Sequence, residues 1–163
     1  MSAIISDCGF YRYRLERHAL AGAGAVAWIM VNPSTADATE DDATIRKVIG
    51  FSNRMGAGWA IVGNKFAYRA TDVNDLKSVR DPCGPENDAH LADIIRTAPT
   101  VIAAWGPLAK LPKHLRRRWR RIAELADGIG RPLMCFGTAQ DGHPRHPLML
   151  AYDTPLIEWK RPL

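Results

Sequence analysis

Two asparagines stand out as candidates for chemistry because each lies at the end of an apolar run. Asn32 follows the run at 25–31 (AVAWIMV), and Asn64 ends the run at 59–64 (WAIVGN). An amide both donates and accepts hydrogen bonds, so it can read the edge of a base or orient a water. Taken alone, each asparagine is better explained as a turn cap. Their joint position beside a histidine-rich loop favours a functional site.

That loop, residues 142–148 (GHPRHPL), contains two His-Pro pairs three positions apart, at His143 and His146. Proline restricts the backbone, so the loop is expected to be rigid, and imidazole can act as acid, base, electrophile or metal ligand. Together with Asp141, the two histidines could in principle bind a metal, but no fourth ligand is obvious. We therefore expect no metal and no other cofactor. A surface loop with incidental histidines is the alternative interpretation.

Buried strands are expected to position these side chains. Four short apolar runs are typical of strands buried on both faces; they are residues 25–31, 59–64, 100–105 and 132–137. Helical spacing or helix-start signals lie between them; the predicted helices cover 43–54, a segment starting at 85, and 111–126. This alternation predicts an α/β fold with a mostly parallel sheet, in one domain spanning 1–163. Ligands of such sheets bind at the carboxyl ends of the strands.

Composition narrows the class of partner. Lys and Arg outnumber Asp and Glu by 22 to 17, for a net charge of +5, which favours an acidic partner such as nucleic acid. The three cysteines lie far apart without a C-x-x-C pair, which argues against an iron–sulfur cluster or a structural zinc site. No apolar run approaches the ~20 residues of a membrane span, and charges occur throughout the first residues. We expect a cytoplasmic protein that does not enter membranes.

Four motifs, in their order along the chain, resemble those of the uracil-DNA glycosylase superfamily. They are MVNPS (30–34), IVGN (61–64), VIAAWG (101–106) and HPRHPL (143–148). They are similar, respectively, to a strand ending in G-x-N-P or G-Q-D-P, a strand whose last Asn reads uracil, a strand ending in W-G, and the H-P-S-P-L motif. The chain is also similar to a group of bacterial and phage proteins with N-P-S-T-A-D and G-H-P-x-H-P-L motifs. The resemblance implies a three-layer α/β/α fold around a central, mostly parallel four-stranded sheet.

The resemblance also implies an activity. Such an enzyme flips a uracil-type base out of DNA and hydrolyses its N-glycosidic bond, the first step of base excision repair. Asn32 would place the attacking water, and His143 would stabilise the departing base, which carries negative charge. The last motif has one extra residue, so His146 competes with His143 for the catalytic role. Asn64 would read the O4 and N3 edge of uracil.

The resemblance further implies how the base pocket is bounded. Phe66 is the candidate for the aromatic ring that stacks on the base. Ser34 stands where the uracil-specific branch has a tyrosine that walls off the C5 side of the base, so some 5-substituted uracils are expected to fit. The alternative is that Phe66 or Tyr68 fills the space that the tyrosine would occupy.

DNA contacts are expected from arginines. Arg145 lies where the family's loop enters the minor groove, and it would act as a wedge or contact a phosphate. Arg117, Arg120 and Arg121 lie near one face of the predicted basic helix, which would bind phosphates or form a solvated outer face. The expected partner is DNA with uracil or a related damaged base, bound by a monomer. The rival functions are an enzyme acting on free or hypermodified nucleotides and a DNA-binding module without catalysis.

Overall fold

A mixed sheet of seven strands runs through the protein. The computed structural model describes residues 1–18, 21–34 and 36–163. The strands are β1 (Ser2–Ile5), β2 (Arg12–His18), β3 (Ala25–Met30), β4 (Trp59–Asn64), β5 (Thr100–Ala103), β6 (Leu133–Cys135) and β7 (Ile157–Glu158). Their order across the sheet is β1-β2-β4-β3-β5-β6-β7. The three α-helices of the described residues are α1 (Ala43–Arg54), α2 (Asn87–Thr97) and α3 (Trp119–Ile129).

The centre of the sheet is parallel and its edges are antiparallel. Strands β4, β3, β5 and β6 pair in parallel, whereas β2 pairs antiparallel with β1 and β4, and β7 pairs antiparallel with β6. The prediction of an α/β fold is confirmed. The prediction of a four-stranded, mostly parallel sheet was wrong, because β1, β2 and β7 extend the parallel core on both sides. Strands β1 and β7 are only four and two residues long, and β2 alternates charged with apolar residues, so none of the three has the continuous apolar run that marks a strand buried on both faces.

Helices cover both faces of the central strands. Strand β3 is buried along its whole length, and successive side chains alternate between the faces. Trp28 packs with Phe51 of α1 on one face, and Ile29 packs with Ile94 of α2 on the other. The indole of Trp28 also donates a hydrogen bond to Ser52 Oγ at 3.1 Å, so its one polar atom is satisfied in the core.

Helix boundaries differ from the sequence prediction mainly in the basic segment. Helix α1 matches the predicted range and begins at Asp42, whose Oδ1 accepts the N–H of Ile45 at 2.8 Å. The helix predicted over 111–126 is instead a 3₁₀ segment, Lys113–Arg118, followed by α3. Gly130, with φ of +78°, ends α3 in the left-handed conformation that glycine adopts without strain. No helix in the described parts of the chain is both long and apolar enough to cross a bilayer.

The carboxyl ends of the central strands meet at one rim. Met30 and Asn64 are paired in register at the ends of β3 and β4, and Asn32 follows two residues later. Trp105 follows β5 on the other side of β3. The rim therefore carries three of the predicted motifs next to one another.

Candidate functional site

A cavity of about 350 Å³ opens at the carboxyl rim of the parallel strands. Its polar lining side chains include Arg12, Asn32, Ser34, Asp42, Asn64 and His146. The volume lies within the range of small-molecule sites, which combine apolar walls with a few polar groups. The structure thus brings together four residues that the sequence predicted: both asparagines, Ser34 and one of the two histidines.

Asn64 offers an unused hydrogen-bond donor to this cavity. Its side chain is only 2% exposed, and its Nδ2 has no partner among the described residues. A buried amide left without a partner costs about 1–3 kcal/mol, so a native structure rarely keeps one without a purpose. The backbone carbonyl of Asn64 is in contrast satisfied, because Asn87 Nδ2 donates to it at 3.0 Å. The backbone at Asn64 is thus fixed, and the Nδ2 of its side chain is left as a donor for a ligand.

Asn32 bonds to the loop at residue 70 and also lines the cavity. Its Nδ2 donates to the carbonyl of Ala70 at 2.7 Å and to that of Pro33 at 3.1 Å. These bonds tie the end of β3 to the loop at residue 70, which is the turn-capping role expected of asparagine. With the nitrogen fixed, Oδ1 remains as an acceptor that can hold a water.

Ser34 and Asp42 form a bonded pair on the cavity wall. Ser34 Oγ donates to Asp42 Oδ2 at 2.8 Å, while Asp42 Oδ1 caps α1. The hydroxyl proton of Ser34 is thereby committed, and its oxygen can still accept a hydrogen bond from a ligand.

His146 is the histidine that lines the cavity. Its Nδ1 accepts the N–H of Leu148 at 3.2 Å, so the proton of the neutral ring lies on Nε2. Burial lowers the pKa of His146, with a further lowering from the charge of Lys110. The ring is therefore neutral near pH 7 and offers an N–H donor. Gly106 bonds to the same loop. Its N–H donates to the carbonyl of Pro144 at 2.9 Å, and its φ of +77° is a conformation that glycine adopts without strain.

Arg12 is a cavity residue that the sequence analysis missed. It begins β2 and is 3% exposed; its Nη1 donates to the carbonyl of Ala36, and its Nε has no partner in the described chain. Burial lowers its pKa to about 10, which leaves it charged at neutral pH. The only sequence signal was a charged residue at the start of an alternating segment, RYRLERH, which also describes an exposed strand.

Comparison with known proteins identifies a family for this chain. A family model described as a protein of unknown function, DUF1643, matches residues 12–148. The chain belongs to the DUF1643 family. No curated protein matches the chain, and no solved structure does. The DUF1643 match extends from Arg12 to Leu148, both of which line the cavity.

His143 is the other histidine of the loop at 142–148, and it does not line this cavity. It is buried, its Nδ1 accepts the indole N–H of Trp105 at 3.3 Å, and its ring centroid lies 5.1 Å from Trp119 and 5.7 Å from Trp159. Burial lowers its pKa, against an opposing effect of Asp141. Of the two histidines, His146 therefore shares the cavity with Asn32 and Asn64, and His143 does not.

Phe66 is not positioned to stack on a ligand in the cavity. The ring is buried in a core cluster with Leu76, Leu111 and Leu115, and it does not line the cavity. The structure therefore gives no support to the predicted base-stacking role of Phe66. Its apolar neighbours come from the 3₁₀ segment Val73–Ser78 and from the basic segment, and no pattern in the sequence predicts that these segments pack on Phe66.

Three side chains in and just after the loop are exposed to solvent, those of Arg145, Leu148 and Met149. Arg145 is exposed, and its backbone N–H donates to Gly137 at 3.1 Å. Leu148, 41% exposed, lines the cavity, and Met149 beside it is 90% exposed. Exposed apolar side chains at a cavity mouth are unusual enough to suggest contact with a partner.

The three predicted phosphate-binding arginines separate into two groups. Arg121 pairs with Asp88 at 3.0 Å and Glu124 at 3.2 Å. Arg117 and Arg120 are exposed and line a second, shallower cleft that also includes His143. Two of the three therefore remain available to an anionic partner.

Lys65 is a second buried cation that the sequence analysis missed. It is fully buried, its Nζ has no hydrogen-bond partner in the described residues, and Nζ lies 5.0 Å from the ring centroid of Trp105. Burial, followed by the charge of Arg118, lowers its pKa from 10.5 to about 7. It follows Asn64 directly and lines neither cavity.

The described residues contain no group of three His, Cys, Asp or Glu side chains placed to hold a metal. Asp141 instead satisfies backbone groups, accepting the N–H of Leu108 at 2.8 Å and of His143 at 3.0 Å.

Proposed function

We propose that this DUF1643 protein is a DNA glycosylase that hydrolyses the N-glycosidic bond of uracil-type bases after flipping them out of DNA. The observation that carries the proposal is the unpartnered Nδ2 of Asn64 on a cavity that His146 and Asn32 also line. The motif resemblance to the uracil-DNA glycosylase superfamily, which includes the same three residues, also supports it. Extrusion is required because the reacting atoms of a paired base are inaccessible within a duplex.

Asn64 suits the recognition of a uracil edge. Uracil presents an acceptor at O4 and a donor at N3, and an amide side chain presents the complementary donor and acceptor. Cytosine presents the reverse pattern at the same positions. Because Asn64 is buried, a mismatched ligand would leave polar atoms unpaired at a cost that discriminates strongly.

His146 suits stabilisation of the departing base. When the glycosidic bond breaks, negative charge develops on the base and positive character on the sugar. The Nε2–H of a neutral, fixed imidazole can donate to a base carbonyl as that charge grows. Asn32 Oδ1 would accept a hydrogen bond from the attacking water and hold it beneath the sugar carbon, and the proton that this water loses as its oxygen bonds to the sugar would neutralise the departed base anion. Asparagine is a weak base, which is tolerable if the base departs early and water adds late.

The surface around the cavity offers contacts for DNA. Leu148 lines the cavity and is exposed, Met149 and Arg145 are exposed beside it in sequence, and Arg117 and Arg120 are exposed in the separate cleft that His143 lines. Cationic side chains supply sequence-independent phosphate binding. Apolar or long side chains can fill the gap that a flipped base leaves.

The test is release of uracil from DNA. Purified protein is incubated with single- and double-stranded oligonucleotides that carry one uracil, and alkali then cleaves any abasic site. We expect cleavage at the uracil position and none in a matched oligonucleotide with cytosine there. Oligonucleotide binding that weakens steeply with salt, but without base release on either substrate, would identify a DNA-binding module instead.

A second candidate, catalysis on free or hypermodified nucleotides, is favoured by one observation. Arg12 places a fixed positive charge on the cavity, beyond what a neutral base needs. Free deoxyuridine and its nucleotides, incubated under the same conditions and analysed for liberated uracil, separate the two candidates.

A further inference from the structure

Two arginines of β2 are buried to the same degree but differ in their bonding. Arg17 is 2% exposed, and each of its guanidinium nitrogens donates: Nε to Asp41 Oδ1 at 2.6 Å, Nη1 to Glu16 O at 3.0 Å, and Nη2 to Glu40 O at 3.2 Å. Arg12 is 3% exposed and lies on the cavity; its Nη1 donates to Ala36 O, and its Nε has no hydrogen-bond partner among the described residues. Arg17 is a structural residue, whereas the Nε–H of Arg12 is left for a ligand.

The cavity carboxylate does not neutralise Arg12 by direct contact. Asp42 lines the same cavity, but its two oxygens accept from the Ile45 N–H and from Ser34 Oγ. In the described part of the chain, Arg12 has no carboxylate oxygen within 4.0 Å. A buried charge without a partner is destabilising by several kcal/mol, and a ligand that supplies the opposite charge relieves that cost. The side chain is therefore poised for an anion.

We propose that Arg12 binds an anionic oxygen group, a carboxylate or a phosphate, that is carried by the uracil-type ligand of this cavity. The inference rests on the proposed function for the identity of the ring, which Asn64 would read. The free Nε–H is one prong of the guanidinium fork, which matches the geometry of both anions. The anion has two sources: a carboxyl group on C5 of the base, or the 5′-phosphate of a free nucleotide.

The test compares ligands that differ in charge and little else. Isothermal titration calorimetry on the wild-type protein uses 2′-deoxyuridine, 5-hydroxymethyl-2′-deoxyuridine, 5-carboxy-2′-deoxyuridine and 2′-deoxyuridine 5′-monophosphate. Hydroxymethyl and carboxyl groups are similar in size, so that pair isolates the charge. We expect one of the two anionic ligands to bind at least about tenfold more tightly than its neutral counterpart. Which of them does so identifies the source of the anion.

Variants of the two arginines locate the effect. Arg12→Gln should reduce the anionic preference to within about twofold, whereas Arg17→Gln should lower the melting temperature and keep the preference. If Arg12→Gln does not fold, Arg12→Lys is used, which retains the charge but loses the fork and should weaken the preference. Equal wild-type affinity for neutral and anionic ligands, no binding of any of them, or a preference that survives Arg12→Gln would overturn the inference. An anionic preference without release of uracil from DNA would support Arg12 and refute the glycosylase.

Discussion

Trp105 donates its indole N–H to Nδ1 of His143 across 3.3 Å, and the bond is buried: Trp105 lines the cavity, whereas His143 does not. His146, three residues later, lines the cavity with its Nδ1 committed to the Leu148 N–H. Two histidines in one short loop thus have different partners. The first anchors the loop among tryptophans, and the second is the ring that can act on a ligand.

The first prediction separates these histidines. His146→Ala should slow uracil release by about a hundredfold or more, because it removes a preorganised donor, with little change in stability. His143→Ala should instead lower the free energy of unfolding by about 2 kcal/mol or more, since it empties a packed aromatic site. Single-turnover base release and urea denaturation measure the two effects. A severe catalytic loss in a stable His143→Ala protein, with His146→Ala mild, would reverse the assignment.

The second prediction contrasts two buried asparagines. Asn64→Ala should abolish most uracil release while leaving the melting temperature unchanged or higher, because its Nδ2 makes no hydrogen bond in the described structure. Asn87→Ala is the matched control: Asn87 Nδ2 donates to the carbonyls of Asn64 and Lys65, so its loss should lower the melting temperature. Asn64→Asp should also weaken uracil release. Unchanged uracil activity in Asn64→Ala would refute the recognition role.

The residues at the ends of the central strands could be predicted from the sequence, whereas the buried cation of the site could not. Asn32 and Asn64 were predictable because each follows a continuous apolar run, and such strands end at a shared edge. The burial of Arg12 could not be predicted, because alternating charged residues occur in exposed strands as well as in strands that pair beside a parallel core. For the same reason the four central strands could be predicted and the antiparallel edges could not. The two histidines could not be ranked, because spacing alone does not show which ring tryptophans enclose.

The third prediction concerns pH and stability. Lys65 has a pKa of about 7 in the folded protein and 10.5 as its ordinary value, so the unfolded chain binds more protons between these limits. The free energy of unfolding should therefore rise with pH from about 7 to about 10.5 through this residue. Lys65→Met should stabilise the protein at pH 7 by roughly 2 kcal/mol or more.

The Lys65→Met comparison is made by urea denaturation of both proteins at pH 6, 7.5 and 9. The advantage of the variant should be largest at pH 6, where the wild-type protein must hold the charged amine in its core. Arg118 lowers the pKa of Lys65, and Asp141 raises it. Both charges act on the lysine of the wild-type protein and not on the uncharged methionine of the variant. A variant that is less stable at every pH would indicate that the ammonium has a partner in solution.

The fourth prediction concerns binding to DNA. Arg117 and Arg120 are exposed, whereas Arg121 is paired with Asp88 and Glu124. Replacing both Arg117 and Arg120 with alanine should weaken oligonucleotide binding and reduce the slope of log K against log salt by roughly one for each lost phosphate contact. Arg121→Ala is the control and should change the slope less. Fluorescence anisotropy at several salt concentrations measures the slopes, and identical slopes would show that this surface does not contact DNA.

The last prediction concerns the range of bases, and it depends on Ser34. Its side chain lines the cavity and donates to Asp42 Oδ2 at 2.8 Å, so the wall at this point is small and polar. Phe66 and Tyr68 do not fill the space, since neither lines the cavity: Phe66 is buried in the core, and Tyr68 stacks on Phe10. The wild-type protein should therefore release 5-hydroxymethyluracil as well as uracil, because a small added group is poorly rejected without steric opposition. Ser34→Tyr should keep more of the uracil activity and lose most of the other, whereas Ser34→Ala should keep both because it fills no volume. Competing rates on oligonucleotides with each base measure the ratio, and a wild-type protein confined to uracil would contradict the argument from an open wall.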